Sequence, residues 1–122
     1  MINKYFTPSI EDIRVGYECD MLNSEGNWQS FKFGDHLYYE GFGVDMEQLR
    51  VPYLTKEQIE AEGWKHEWLE KGTHSWSKKE LILTTFEDFS RIKINYISGY
   101  QLFDGECKDI NTFRYICRLL NI

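Results

Sequence analysis

Little in this chain marks it for a particular chemistry. Its three cysteines, Cys19, Cys107 and Cys117, are odd in number and far apart, and none forms a C-x-x-C pair. That excludes a disulfide framework, sets a reduced, cytoplasmic compartment as the expectation, and leaves the thiols as small core hydrophobes. No cluster of Lys or Arg is longer than Lys78-Lys79, and 20 acidic residues against 14 basic ones give a net charge of −6. A protein that grips nucleic acid by its phosphates needs a basic face, so no nucleic-acid partner is expected. There is no apolar run of membrane length, and Met1-Ile2-Asn3-Lys4 does not open a signal peptide; no membrane partner is expected either. Internal repeats, low-complexity stretches and linkers are also missing.

The catalytic signatures are absent too. The chain has no G-x-S-x-G elbow, no P-loop and no H-E-x-x-H spacing. Cys19 and Cys117 fall on apolar faces, a poor setting for a thiolate nucleophile. The three histidines, His36, His66 and His74, together with Asp35 could be combined into a metal or hydrolase site, but their spacing matches no metal pattern. Loop histidines of this kind are usually solvated or hydrogen-bonded. The reading leans away from an enzyme and calls for no cofactor or metal.

What the chain does have is aromatic weight: 4 Trp, 8 Tyr and 8 Phe in 122 residues. Large rings bury much surface per residue, so a compact core is available to one domain spanning 1–122. Ile13, Val15, Tyr17, Cys19 and Met21 alternate with charged or small residues, the pattern of a half-buried strand. Asn23 to Asn27 reads as a turn, and Trp28 to Phe33 as its hairpin partner. A further strand is expected near Met46 to Val51.

The best-punctuated element follows. Thr55 and Gln58 form a T-x-x-Q capping box, Leu54 and Ile59 a hydrophobic staple, and Gly63 a left-handed stop. Together they predict a short helix at about 56–62, with Trp64 packed back on Ile59. A strand near Lys65 to Leu69, a loop around Gly72, strands at Leu81–Phe86 and Arg91–Ile97, a Ser98-Gly99 turn and a return strand from Tyr100 to Cys107 come next. Phe113, Ile116, Cys117 and Leu120 then make the apolar stripe of a C-terminal helix at about 112–120, with Asn111 as its cap. The fold class is α+β: a mostly antiparallel, curved sheet of five to seven strands with one short helix and one terminal helix.

Four features in this order resemble a group of small proteins encoded by phages and prophages of gut Bacteroidetes. They are Ile13-Arg14-Val15-Gly16, Val51-Pro52-Tyr53-Leu54-Thr55-Lys56-Glu57, Gly63-Trp64, and Ile110-Asn111-Thr112-Phe113-Arg114-Tyr115-Ile116 with Leu119-Leu120-Asn121-Ile122 closing the chain. The matching residues are turns, caps and core positions, which report fold. The resemblance implies a largely uncharacterised accessory phage protein made in the host cytoplasm, of the kind that often counters host defence.

Two segments carry more ring and glycine than a core needs. In Gly34 to Val44, Tyr38, Tyr39 and Phe42 lie among Gly34, Gly41 and Gly43, where rings can stack on a ligand and glycines let backbone approach it. The competing reading is that these rings plug the rim of the sheet. In His74-Ser75-Trp76-Ser77-Lys78-Lys79, an indole, an imidazole and cations suit a phosphorylated aromatic ligand. The competing reading is a solvated loop whose Trp76 folds back on the core. Arg14, Arg50 and Arg91 are further anion contacts or ordinary strand charges, while Trp28, Trp64 and Trp68 are read as core. The candidate binding residues are therefore Tyr38, Tyr39, Phe42, His74, Trp76 and Lys78. The functional expectation is a non-enzymatic protein binding a small ligand, such as a cyclic or ADP-ribose-type nucleotide signal, and acting as a homo-oligomer. The alternatives are a protein-interaction module that inhibits a host protein, and a small nucleotide-cleaving hydrolase using His36 or His74.

Overall fold

The computed structural model describes residues 4–34, 46–70, 72–86 and 89–122, with 68–70 described by their backbone. The α+β class, the antiparallel pairing and both predicted helices hold, and the strands fall into two sheets of four and five. The chain divides into two compact units, Met1–Pro52 and Tyr53–Ile122, each with a buried cluster of its own.

The first unit contains β1 (Tyr5–Phe6), β2 (Glu18–Leu22), β3 (Trp28–Lys32) and β4 (Leu49–Pro52), in the order β1-β4-β2-β3. The alternation that begins at Ile13 becomes strand only at Glu18. Gly16 at φ +89° turns the chain first, and the Tyr17 N–H closes that turn on the Arg14 carbonyl at 2.9 Å. Ile13, Tyr17 and Cys19 are buried as the pattern requires, but Val15, beside the turn, is exposed. The β2–β3 hairpin forms as expected, and the Asn23 side chain accepts from the Glu25 and Asn27 N–H groups at 2.9 Å each. Met46–Gln48 is a 3-10 turn, so β4 starts three residues later than the sequence pattern suggests. Trp28 is a second departure, because it sits on edge strand β3 and is partly exposed. Its ring lies 4.4 Å from the Arg50 guanidinium, which also covers Tyr5 at 3.8 Å and bonds Asp20 at 3.1 Å. Arg50 is thus a cross-strand tie, in register with Asp20.

The second unit is a meander, β5 (Lys65–Glu70), β6 (Thr73–Lys78), β7 (Leu81–Thr85), β8 (Arg91–Tyr96) and β9 (Gln101–Glu106), paired in sequence order. Two helices flank it in sequence, α1 (Lys56–Ala61) and α2 (Ile110–Leu120). The capping box of α1 makes both bonds: the Gln58 N–H donates to Thr55 Oγ1 at 3.2 Å, and the Thr55 N–H to Gln58 Oε1 at 3.1 Å. Leu54 and Ile59 are buried as the staple predicts. Gly63, at φ +96°, takes the chain out of the helix in a conformation that L side chains avoid. A helix of two turns has almost no independent stability; α1 persists because Ile59 and Trp64 join the cluster formed by Trp76, Leu83, Ile92, Ile94 and Phe113.

Three details differ from the sequence pattern. The segment His74–Lys78 is strand rather than loop, since it lies within β6. It is held there because Trp76 needs burial and because Lys79, at φ +55°, makes a two-residue turn into β7, with Lys78 opposite Leu81. The β8–β9 connection is four residues, 97–100, closed by the Tyr96 N–H on the Tyr100 carbonyl at 2.8 Å, with Gly99 at φ +104°. The cap of α2 is Asp109, not Asn111. Its carboxylate accepts from the Asn111 N–H at 3.2 Å and the Thr112 hydroxyl at 2.6 Å, so the helix starts two residues sooner. Its stripe is as predicted, with Phe113 and Ile116 buried and Cys117 and Leu120 packed at the margin.

Candidate functional site

β6 organises the described part of the candidate site. Side chains on a strand alternate, so His74, Trp76 and Lys78 all project from one face, the face that carries Leu81, Leu83 and Thr85 of β7 opposite them. The three have different surroundings. Trp76 is fully buried and its Nε1–H donates to Thr85 Oγ1 at 3.1 Å. It is an interior ring with a satisfied polar atom, which places it in the core and leaves no face for a ligand. His74 pairs with His66 of β5, with His74 Nδ1 and His66 Nε2 2.9 Å apart. Burial, then the neighbouring His66 and Lys56, lower the His74 pKa from its ordinary value.

Lys78 leads elsewhere. Its stem passes within 3.5 Å of where a Cβ on Gly63 would stand, and its Nζ donates to the Glu62 carbonyl at 3.1 Å. That bond satisfies a carbonyl at the end of α1. From there the side chain borders a cleft of about 380 Å³ lined by Glu62, Trp64, Lys78, Arg114, Cys117, Arg118, Asn121 and Ile122. Arg114 reaches Glu62 through Nε at 3.2 Å. The Trp64 ring lies 5.7 Å from Lys78 Nζ and meets the Phe113 ring edge-on at 6.3 Å. The Trp64 Nε1 is buried with no hydrogen-bond partner among the described residues. A buried N–H left in that state costs about 1–3 kcal/mol.

The electrostatics of the cleft run against those of the chain. Three cations, Lys78, Arg114 and Arg118, face one carboxylate, Glu62, in a protein of net charge −6. The C-terminal end of α2 also opens here, and a helix C-terminus acts as roughly half a negative charge. Its last carbonyls are partly occupied, by the Asn121 N–H on Arg118 at 3.1 Å and the Ile122 N–H on Cys117 at 2.9 Å. Of the cations, Lys78 and Arg114 are both engaged by Glu62, through its carbonyl and its carboxylate respectively. Cys117 does not add a nucleophile: burial pushes its thiol up to about 11, although Lys78 pulls the other way. Burial likewise raises Cys19 to about 11 and raises Cys107 further.

Tyr38, Tyr39 and Phe42, with His36 and Asp35, lie outside the described residues. Arg91 is paired with Asp104 at 2.8 Å across β8 and β9. Among the described residues no three His, Cys, Asp or Glu side chains converge as a metal set. Of the cleft, the sequence singled out only Lys78 as a binding residue. Arg114 and Arg118 went unnoticed, though their i, i+4 spacing on an amphipathic helix puts two cations on one face. Trp64 is structural on the sequence reading, and it is buried in the core as that reading requires. No family model, curated protein or solved structure matches this chain.

Proposed function

We propose that this chain is a binding protein that takes a small phosphate-bearing anion in the cleft between the end of α1, the end of β6 and the last turns of α2. One observation carries the reading: Lys78, Arg114 and Arg118 line one cleft together with Trp64 in an otherwise acidic protein. Arginine offers a planar fork matched to phosphate oxygens, and lysine a compact point charge. Burial of the Cys117 thiol, which raises its pKa, favours binding over turnover in this cleft. Within that class, a nucleotide-derived signal is the ligand we favour. The phage-like pattern of turns and caps supplies the setting, in which sequestering such a signal would blunt host defence. A homo-oligomer belongs to the same proposal, and light scattering tests it directly.

The test of binding begins with protein denatured after purification, whose extract is examined for ultraviolet-absorbing small molecules. Thermal shift against inorganic phosphate, ADP-ribose and cyclic dinucleotides follows. A ligand at a hundred times its Kd should stabilise the fold by about 2.7 kcal/mol. The shift should vanish in Lys78→Met and Arg118→Met and weaken as salt is raised. No shift with any of these anions at millimolar concentration would remove the proposal. Ligand recovered cleaved rather than intact would convert it to the hydrolase reading.

A further inference from the structure

We propose that His66 and His74 form a two-imidazole site for a divalent first-row transition metal ion, with Cu²⁺, Ni²⁺ and Zn²⁺ as the ions it would take. The two histidines stand on neighbouring strands, β5 and β6, and meet diagonally, since His66 is in register with Trp76 and His74 with Leu69. A register shift between His66 and Trp68 separates those two pairs. Such a bulge re-aims the side chains beside it and recurs next to functional sites. Here His66 Nε2 and His74 Nδ1 come within 2.9 Å, with ring centroids 5.0 Å apart.

That separation suits a metal. Two nitrogens bound at about 2.0–2.1 Å are about 2.9 Å apart at a right angle and about 3.3 Å apart at the tetrahedral angle. In the hydrogen bond the two nitrogens face each other, so an ion would enter beside that line, with each ring turning by about 35–45° to direct its lone pair at it. The ring positions are buttressed by apolar walls: Trp76 meets His66 edge-on at 4.7 Å, and Phe89 lies 5.2 Å from His74. Walls of this kind hold a ligand ring in its orientation and keep bulk water back. At present one nitrogen of the pair donates its proton to the other. On metal entry the donor ring of the neutral pair changes tautomer: its facing proton is transferred through solvent to its other nitrogen, both facing lone pairs turn to the ion, and two neutral imidazoles bind it without net proton release.

Imidazole pairs suit Cu²⁺, Ni²⁺ and Zn²⁺, with Cu²⁺ the tightest of the three. No third His, Cys, Asp or Glu completes a set among the described residues, so water or an exogenous anion would fill the remaining positions. The charge of Lys56, which acts on His74, works against a cation and tempers the affinity.

The test uses the full chain, tag removed and chelator-treated, titrated with Cu²⁺ and with Zn²⁺. One Cu²⁺ per chain is expected, with nitrogen hyperfine structure from two imidazoles in its paramagnetic resonance spectrum. His66→Gln and His74→Gln should each weaken binding by at least about tenfold, while His36→Gln should leave it unchanged. Should a variant fail to fold, long-range proton–nitrogen spectra of the native chain decide the matter. Zn²⁺ must move the resonances of His66 Nε2 and His74 Nδ1 together. Unchanged Cu²⁺ affinity in a folded double variant, loss of binding in His36→Gln, or no movement of those two nitrogens overturns the proposal.

Discussion

The two units of this chain bury their apolar residues by different means. Residues 1–52 hold a four-stranded sheet around six buried side chains, Ile13, Tyr17, Cys19, Phe33, Leu49 and Val51, with no α-helix among the described residues. Residues 53–122 hold a five-stranded meander whose buried cluster includes Trp64, Trp76 and Phe113 and draws on both helices. A helix packed on a sheet closes a layer that a small sheet alone leaves open. The first unit compensates locally. Arg50 spans Tyr5 and Trp28 and bonds Asp20, an arrangement in which long polar side chains do part of the covering. Both polar features with a chemical reading, the cationic cleft and the histidine pair, fall in the helix-bearing unit. A rigid, two-layer scaffold can hold such groups at fixed distances.

Core truncations test that contrast most severely. Phe113→Ala should cost about 3–5 kcal/mol, because a large ring between sheet and helix leaves a cavity that the scaffold cannot close. Leu49→Ala should cost less, about 2–3 kcal/mol, since a thinner core collapses more easily. Urea denaturation gives both numbers, and an equal or reversed order would break the comparison. A smaller effect, about 1–3 kcal/mol, is expected for Thr85→Val, which keeps shape but strands the buried Trp76 N–H. Hydrogen exchange should show the loss in β6 and β7, and no loss would mean that the indole finds another acceptor. Smallest is Thr55→Ala, at about 1 kcal/mol, because it removes one cap bond from α1. Its sharper readout is the cleft: the C-cap of α1 is Glu62, which both Lys78 and Arg114 hold, so frayed α1 should also weaken anion binding. Unaltered binding in Thr55→Ala would detach the cleft from the helix that borders it.

Local signals were legible where a few adjacent residues settle the geometry. Thr55, Gln58, Leu54, Ile59 and Gly63 specify α1 within a span of ten residues, and both cap bonds are made. Gly99 marks its turn because it must adopt positive φ. The stripe from Phe113 to Leu120 marks α2, but its start is not legible, because Asp109 and Asn111 are both good cap residues and the structure uses the Asp109 carboxylate, which accepts from the Asn111 N–H, the Asn111 side-chain amide and the Thr112 hydroxyl. The strand β6 was harder. His74, Trp76 and Lys78 alternate with Thr73, Ser75 and Ser77, and a face made of imidazole, indole and ammonium does not look apolar. It is a core-facing strand because Trp76 is buried there with its N–H bonded to Thr85 on the next strand, and because Lys79 turns the chain into β7.

The sequence alone determined the elements: an acidic α+β chain of antiparallel strands, a helix pinned by its caps, and thiols with no nucleophilic setting. These rest on composition and on contacts a few residues apart. The tertiary structure decided the partners. It divided the strands between two sheets, sent Trp76 inward, brought Lys78 to Arg114 and Arg118 across more than thirty residues, and set His66 against His74 through a shift in register. Register and packing between distant strands depend on which long-range burial is best satisfied. No window of neighbouring residues encodes that choice.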